Sequence, residues 1–238
     1  VLTASDNGSV LSSDAMSISV EPNHLVLTGN TIFNSGTCQS YLITTKDANN
    51  TTASMFATLT VNVSNGAASG TFYSNNTCVT PITSTTIAAT TSSRTVYYKN
   101  SVAETATLHA DDNASNLTSG TLGVTIGPDH ISIAGNSYAP SGTCQAYTIT
   151  TKDTSNAQKA VLANLTIDLS QGVASGAFYS NNICTAGISQ TSILAAQSSV
   201  TVYYKDINAE AITLSAVDHD GLLATGTLAI AMGPDHFT

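Results

Sequence analysis

Leu59-Thr60-Val61-Asn62-Val63-Ser64 alternates apolar and polar residues without a break, and Leu165-Thr166-Ile167-Asp168-Leu169-Ser170 repeats the phase later in the chain. A period of two puts Leu59, Val61 and Val63 on one side of an extended strand and their polar neighbours on the other, which predicts one buried and one solvated face. Working outward, the same alternation sets Ala106, Leu108 and Ala110 inward against Thr107 and His109, then Leu122, Val124 and Ile126 inward on a later strand. Asp47-Ala48-Asn49-Asn50, Ser64-Asn65-Gly66 and Asp112-Asn113-Ala114-Ser115 separate such runs with residues that accept positive φ or bond their own backbone. No stretch holds apolar residues at helical spacing over a full helix length, so the chain reads as all-β.

The two hexapeptides are one instance of a constant offset. Gly36-Thr37-Cys38-Gln39 returns as Gly142-Thr143-Cys144-Gln145, a shift of 142 − 36 = 106. Phe72-Tyr73-Ser74-Asn75-Asn76, Thr95-Val96-Tyr97-Tyr98-Lys99 and Gly127-Pro128-Asp129-His130 recur at the same shift, as Phe178 to Asn182, Thr201 to Lys205 and Gly233 to His236. A fixed offset without insertion marks a tandem repeat. Leu2, Ala4, Asp6, Leu11, Pro22 and His24 align with Leu108, Ala110, Asp112, Leu117, Pro128 and His130. The expected organisation is therefore the C-terminal hairpin of a preceding repeat over 1–22, a whole repeat over 23–128, and a second over 129–238 that includes the start of a next. On the order of seven short antiparallel strands per repeat fit tandem immunoglobulin-like β-sandwich repeats of about 106 residues, with a closed barrel as the alternative.

Composition narrows the partners. Charged residues are 9% of the chain and the net charge is −9 with six Lys and Arg, against about a quarter charged in ordinary soluble proteins. Nucleic acid needs clustered cations to displace counterions, so it is excluded as a partner, and anionic membrane surfaces are disfavoured on the same ground. No apolar run approaches the length needed to cross a bilayer, so no membrane insertion is expected of this segment. The four cysteines stand two to a repeat, with 78 − 38 = 40 and 184 − 144 = 40. No Cys-x-x-Cys or close Cys/His pair offers a zinc site. Disulfides Cys38–Cys78 and Cys144–Cys184 are expected, and with them an oxidising, extracellular setting. Because Tyr41 and Ile43 point inward, alternation puts Cys38 on the other face, and the chain has no Trp to pack on a core bridge. Each disulfide is thus read as a peripheral staple.

A Pro-Asp-His junction, a Thr-Thr-Lys-Asp strand end and a final Thr-Leu-x-Val strand together resemble the bacterial immunoglobulin-like repeats of invasin- and intimin-like cell-surface adhesins. The cysteine pair departs from many of those repeats. The resemblance implies an extracellular, cell-attached protein whose modules form a stalk and display surface. It supplies no ligand.

No nucleophile, base and orienting acid recur together, so an enzyme is not expected and no catalytic residue is assigned. His109 and His219 lack counterparts and read as solvent-facing. Pro22, His24, Gly127, Pro128, Asp129, His130, Gly233, Pro234, Asp235 and His236 mark the junctions, where imidazoles are expected to bond neighbouring loops. Calcium is the one cofactor weighed: Asp111, Asp112, Asp218 and Asp220 lie in turns that can approach Asp129 and Asp235, and hard cations want clustered oxygens. Unequal ligand sets in the two copies count against it. Tyr97 and Tyr203 are weighed as a carbohydrate platform. Lys46, Lys99, Lys152 and Lys205, with Glu104 or Glu210, are weighed as isopeptide crosslinks, with solvated charge preferred. The leading reading is an extracellular structural and adhesion repeat in a surface stalk or fibre, with neighbouring repeats as partners and any surface ligand unknown. The alternatives are a self-assembling filament subunit, whose orphan hairpin (Met16, Ile18 and Val20) adds a strand to another chain, and a phage or virion surface spacer.

Overall fold

In the computed structural model, residues 2–5, 7–8, 12, 14–16, 20–172 and 175–234 are described. Every regular element among them is a strand. β1 (Leu2–Ala4) and β2 (Asp14–Met16) form a two-stranded hairpin. A first sandwich follows from β3 (His24–Gly29), β4 (Ile32–Asn34), β5 (Cys38–Lys46), β6 (Leu59–Ser64), β7 (Thr71–Tyr73), β8 (Pro81–Ile82), β9 (Ser84–Ile87), β10 (Ser93–Lys99), β11 (Thr105–Asp112) and β12 (Gly120–Gly127). A second follows from β13 (His130–Gly135), β14 (Tyr138–Pro140), β15 (Gln145–Lys152), β16 (Leu165–Ser170), β17 (Ala177–Tyr179), β18 (Gly187–Ile188), β19 (Gln190–Ile193), β20 (Ser199–Lys205), β21 (Ala211–Asp218) and β22 (Gly226–Gly233).

Each sandwich stacks two five-stranded sheets. In the first, the orders are β3-β5-β10-β7-β8 and β4-β12-β11-β6-β9, and the second repeats them as β13-β15-β20-β17-β18 and β14-β22-β21-β16-β19. The alternation that predicts one-faced strands holds: β6 reads buried, exposed, buried, exposed, buried, exposed along its length. Ile43, Val61, Ile87, Val96, Tyr98 and Leu108 meet between the sheets of the first sandwich, and Ile149, Ile167, Ile193, Val202, Tyr204 and Leu214 do so in the second. A closed barrel is not formed, because each sandwich keeps two separate sheets.

Two features depart from the expectation of about seven antiparallel strands. Ten short strands make up each sandwich, and one pair, β4 with β12 or β14 with β22, is parallel. The parallel pair and one of the additional strands follow from one event. At Gly29-Asn30-Thr31 the chain leaves the first sheet after β3 and joins the second as β4, so the leading strand is shared between the sheets. The fully buried Tyr41 donates its hydroxyl to the Asn30 carbonyl at 2.8 Å, and Tyr147 does the same to Asn136 at 3.1 Å, which satisfies a backbone acceptor that neither sheet pairs. The crossing brings the turn after β4 to the end of β12, where the next sandwich begins.

The disulfides join Cys38 to Cys78 and Cys144 to Cys184. Cys38 opens β5, opposite Lys99 of β10, while Cys78 lies in the loop between β7 and β8. The bridge therefore passes over the end of β10 within one sheet and leaves the space between the sheets to the aliphatic and tyrosine core. Val79 and Ile183 stand exposed on these stapled loops.

A bridge over a sequence separation of 40 removes chain entropy from the unfolded state worth about 4 kcal/mol. Cys38→Ala with Cys78→Ala is expected to lower the first sandwich's unfolding free energy by about that amount and to leave the second sandwich's transition in place, as followed by denaturant titration with tyrosine fluorescence.

Candidate functional site

Hydrogen bonds cross the junction between the sandwiches at several points. Only Pro128 and Asp129 separate β12 from β13. Pro128, held at a fixed φ, is buried. Asp129 is bonded on its main chain from both sides, its N–H to the Lys152 carbonyl and its carbonyl to the Ala224 N–H, each at 2.9 Å. Its carboxylate reaches His130 Nδ1 at 2.8 Å and the Thr154 hydroxyl at 3.1 Å. At the head of the first sandwich His24 has an analogous place, with Nδ1 2.6 Å from Asn23 and Nε2 3.1 Å from Asn50.

Asp153 fastens the two bodies together. It begins the tight turn after β15, where Asn156 adopts φ 62° and Oδ1 accepts the N–H groups of Ser155 and Ala157 at 3.0 Å each. The side chain is fully buried. Its other oxygen accepts the N–H of Ala103, a residue of the first sandwich, at 3.2 Å. Lys159 lies 3.6 Å from that carboxylate and donates to the Ala103 carbonyl at 3.0 Å. One peptide segment of the first sandwich is thus held by an aspartate and a lysine of the second. Burial pushes the Asp153 carboxyl upward, but the N–H groups of Ala103 and Ala157 and the Lys159 ammonium outweigh it and hold the group below the ordinary aspartate range.

A second contact lies beside the first. Ser35, in the turn after β4, receives the Thr154 N–H at 3.2 Å and lies 3.3 Å from its hydroxyl. Gly36 follows with φ +78°, and a Cβ there would stand 2.7 Å from Thr154 Oγ1, so the position needs glycine both for its backbone and for the approach of the neighbouring sandwich. Asn34 donates to the Leu222 carbonyl at 3.1 Å. Between these bonds an apolar cleft of about 200 Å³ is lined by Ile32, Pro128, Leu162 and Leu222 among others.

The site residues weighed from sequence fall as follows. Asp112 and Asp218 are buried caps: Asp112 accepts the N–H groups of Ala114, Asn116 and Leu117, and Asp218 those of Asp220, Leu222 and Leu223. Their oxygens are committed to backbone, Asp129 is committed to His130 and Thr154, and no three acidic or histidine side chains converge among the described residues. Asp111, in β11 opposite Asn62, joins no such group. Asp235 and His236 lie outside the described residues, as does Ile18 of the hairpin. His219 is exposed and pairs with Asp168 at 3.0 Å. Among the described residues, the imidazoles that hydrogen-bond do so to Asn or Asp side chains. Tyr97 and Tyr203 are half-buried in their sheets. Lys46, Lys99, Lys152 and Lys205 are half-buried too, and Lys46 donates to the Asn50 carbonyl at 2.9 Å.

Sequence reasoning missed Asp153, Lys159, Ser35, Thr154 and Ala103. Asp153 enters there only as the last residue of a Thr-Thr-Lys-Asp strand end, as Asp47 does. Lys159 and Thr154 stand where the first repeat has Ala53 and Ala48. A search for residues kept between copies discards these two, although a contact between unlike neighbours is where copies are free to differ.

No protein-family model and no curated protein matches the chain. Among solved structures it is similar to the D00-D0 domain of intimin (12% identity over 87% of this chain and 98% of that chain, TM-score 0.46). It is similar also to the Yersinia pseudotuberculosis adhesin InvE (17% identity, TM-score 0.34), covering 87% of itself and spanning 58% of that chain. A third likeness is to a β-glucuronidase of glycoside hydrolase family 2 (11% identity, 92% of this chain, 21% of that chain, TM-score 0.37). Likeness at this level is one of architecture alone.

The depressed Asp153 carboxyl gives the junction an acid-sensitive share of stability. That share is complete above the unfolded aspartate value of about 3.9 and is lost as pH falls through the lower folded value. Asp153→Asn turns an N–H toward the Ala103 N–H or leaves it without a charged acceptor, and is expected to cost about 1–3 kcal/mol at neutral pH. The gap between wild type and variant should narrow in acid, read from denaturant midpoints at pH 7 and about pH 3.

Proposed function

We propose that this chain is a spacer segment of an extracellular surface stalk or fibre, in which β-sandwiches stand in series and each is fastened to the next by a buried aspartate cap. The observation that carries the reading is Asp153, fully buried in the second sandwich with one oxygen on a peptide N–H of the first. Pulling the sandwiches apart strands that carboxylate without its third hydrogen bond, so the junction resists bending. The two-residue link and the Ser35–Thr154 contact act in the same direction.

Other features support the setting. Disulfides persist in oxidising compartments, and one per sandwich hardens every link of a series equally. A chain with six Lys and Arg offers few sites to trypsin-like proteases. We read β1–β2 as the close of a preceding sandwich: the pairs Leu2↔Met16, Thr3↔Ala15 and Ala4↔Asp14 recur as Leu108↔Leu122, His109↔Thr121 and Ala110↔Gly120 in β11–β12. The module boundaries 23–128 and 129–234 belong to this proposal, as does attachment to a cell surface.

The test is whether the two sandwiches tumble as one body. Backbone 15N relaxation should give both sandwiches one shared, anisotropic rotational diffusion tensor, and Asp153→Ala with Lys159→Ala should shorten the apparent correlation time of each. Wild-type sandwiches that already tumble independently would defeat the proposal.

A further inference from the structure

The same position is solved differently at the tails of the two sandwiches. In the first, the buried Asn100 donates to Glu104 Oε1 at 2.8 Å, and the Lys159 ammonium of the following sandwich adds its field. Burial pushes the Glu104 carboxyl up, but Asn100, Ser69 and Lys159 outweigh it and hold it below the usual range. In the second sandwich Asn100 is replaced by Asp206, equally buried. Ser175 Oγ lies 2.8 Å from Asp206 Oδ1 and 3.0 Å from Glu210 Oε1, and it accepts from Asn208 Nδ2 at 2.7 Å. A hydroxyl has one hydrogen, so it can serve only one of the two carboxylates. Neither carboxylate forms an ion pair among the described residues.

Neighbouring groups on this tail are open as well. Ala103 N–H and Ser35 Oγ are engaged by Asp153 and Thr154. Their counterparts, Ala209 N–H and Ser141 Oγ, bond nothing among the described residues. Tyr138 and Ile207 border the face at 59% and 75% exposure. The tail of the second sandwich thus offers what the tail of the first offers, with one negative charge more.

We propose that this tail is an interaction surface for a sandwich head bearing an aspartate and, six residues on, a lysine, the chemistry of Asp153 and Lys159, and that it discriminates against a head without the cation. The first sandwich supplies the head it should reject. Asp47 has the Asp153 turn, with Oδ1 accepting Asn49 and Thr51 N–H at 2.9 Å each, but Ala53 stands where Lys159 does. Such a head can cap Ala209 yet leaves Asp206 and Glu210 without a cation. The order of modules along the fibre would then be written in charge at the junctions. This deepens the stalk reading and rests on it.

The experiment extends the chain in frame after Pro234 by a third sandwich, either residues 129–234 or residues 23–128, and measures hydrogen exchange at the Ala209 amide by NMR, with the Ala103 amide as internal reference. The lysine-bearing head should slow Ala209 exchange by about tenfold or more relative to the unextended chain, the effect of one hydrogen bond in a charged setting. The head from 23–128, and the 129–234 head carrying Lys159→Ala, should slow it markedly less. Asp206→Asn in the middle sandwich should erase the difference between heads. Equal protection by both heads overturns the charge selection and leaves the stalk reading standing. Protection by neither, with Ala103 protected, overturns the surface itself. An unprotected Ala103 amide instead counts against the stalk reading.

Discussion

A carboxylate taken wholly out of water must find its hydrogen bonds inside the protein, and the junction is organised by that requirement at Asp153. Two of its donors are local, in its own turn. The third belongs to the other sandwich. A buried ion pair contributes less net stability than its Coulomb energy implies, because desolvation opposes it. Losing one partner is costly all the same, and this asymmetry makes the contact a better lock than glue. The Lys159 chain keeps part of its surface in water, so the pair is desolvated on the carboxylate side only.

The rest of the architecture prepares this contact. The leading strand must switch sheets for the turn at Asn34 to Gly36 to reach the end of β12, and the switch depends on a tyrosine hydroxyl that satisfies a carbonyl both sheets leave unpaired. Gly36 then admits Thr154 where any side chain would block it. The disulfides lie away from this path and tie the β7–β8 and β17–β18 loops to the opening of β5 and the start of the strand region led by Cys144. Staple and junction therefore act on separate weaknesses, unfolding of one sandwich and bending between two.

The tails show how repeats diverge without changing fold. Tyr98 and Tyr204 occupy the same core position, fully buried, and burial raises both hydroxyls above the ordinary tyrosine value. Tyr98 is met by amides of Asn65 and Asn100, whereas Tyr204 donates to the carboxylate of Asp206 at 3.1 Å. The core accepts either because each gives the buried phenolic oxygen a hydrogen-bond partner. The difference is one buried charge, at Asp206 where the first sandwich has Asn100.

By itself the sequence determined the strand faces, since a period of two has one physical meaning when one face is buried: Leu59, Val61 and Val63 go inward whatever the topology. It also determined the disulfide partners, because two cysteines per copy leave one pairing within each. It did not determine the shared leading strand or its parallel partner, since neither Gly29-Asn30-Thr31 nor Ile32-Phe33-Asn34 carries a local signal of which sheet it joins; that choice is set by tertiary packing around Tyr41. Nor did it reveal the junction. Asp153 looks like any turn aspartate, and only the folded chain brings Ala103 N–H to it across 50 positions of sequence. The lock joins residues distant in the chain, and two of them, Lys159 and Thr154, differ from their counterparts Ala53 and Ala48, so neither periodicity nor repetition exposes it.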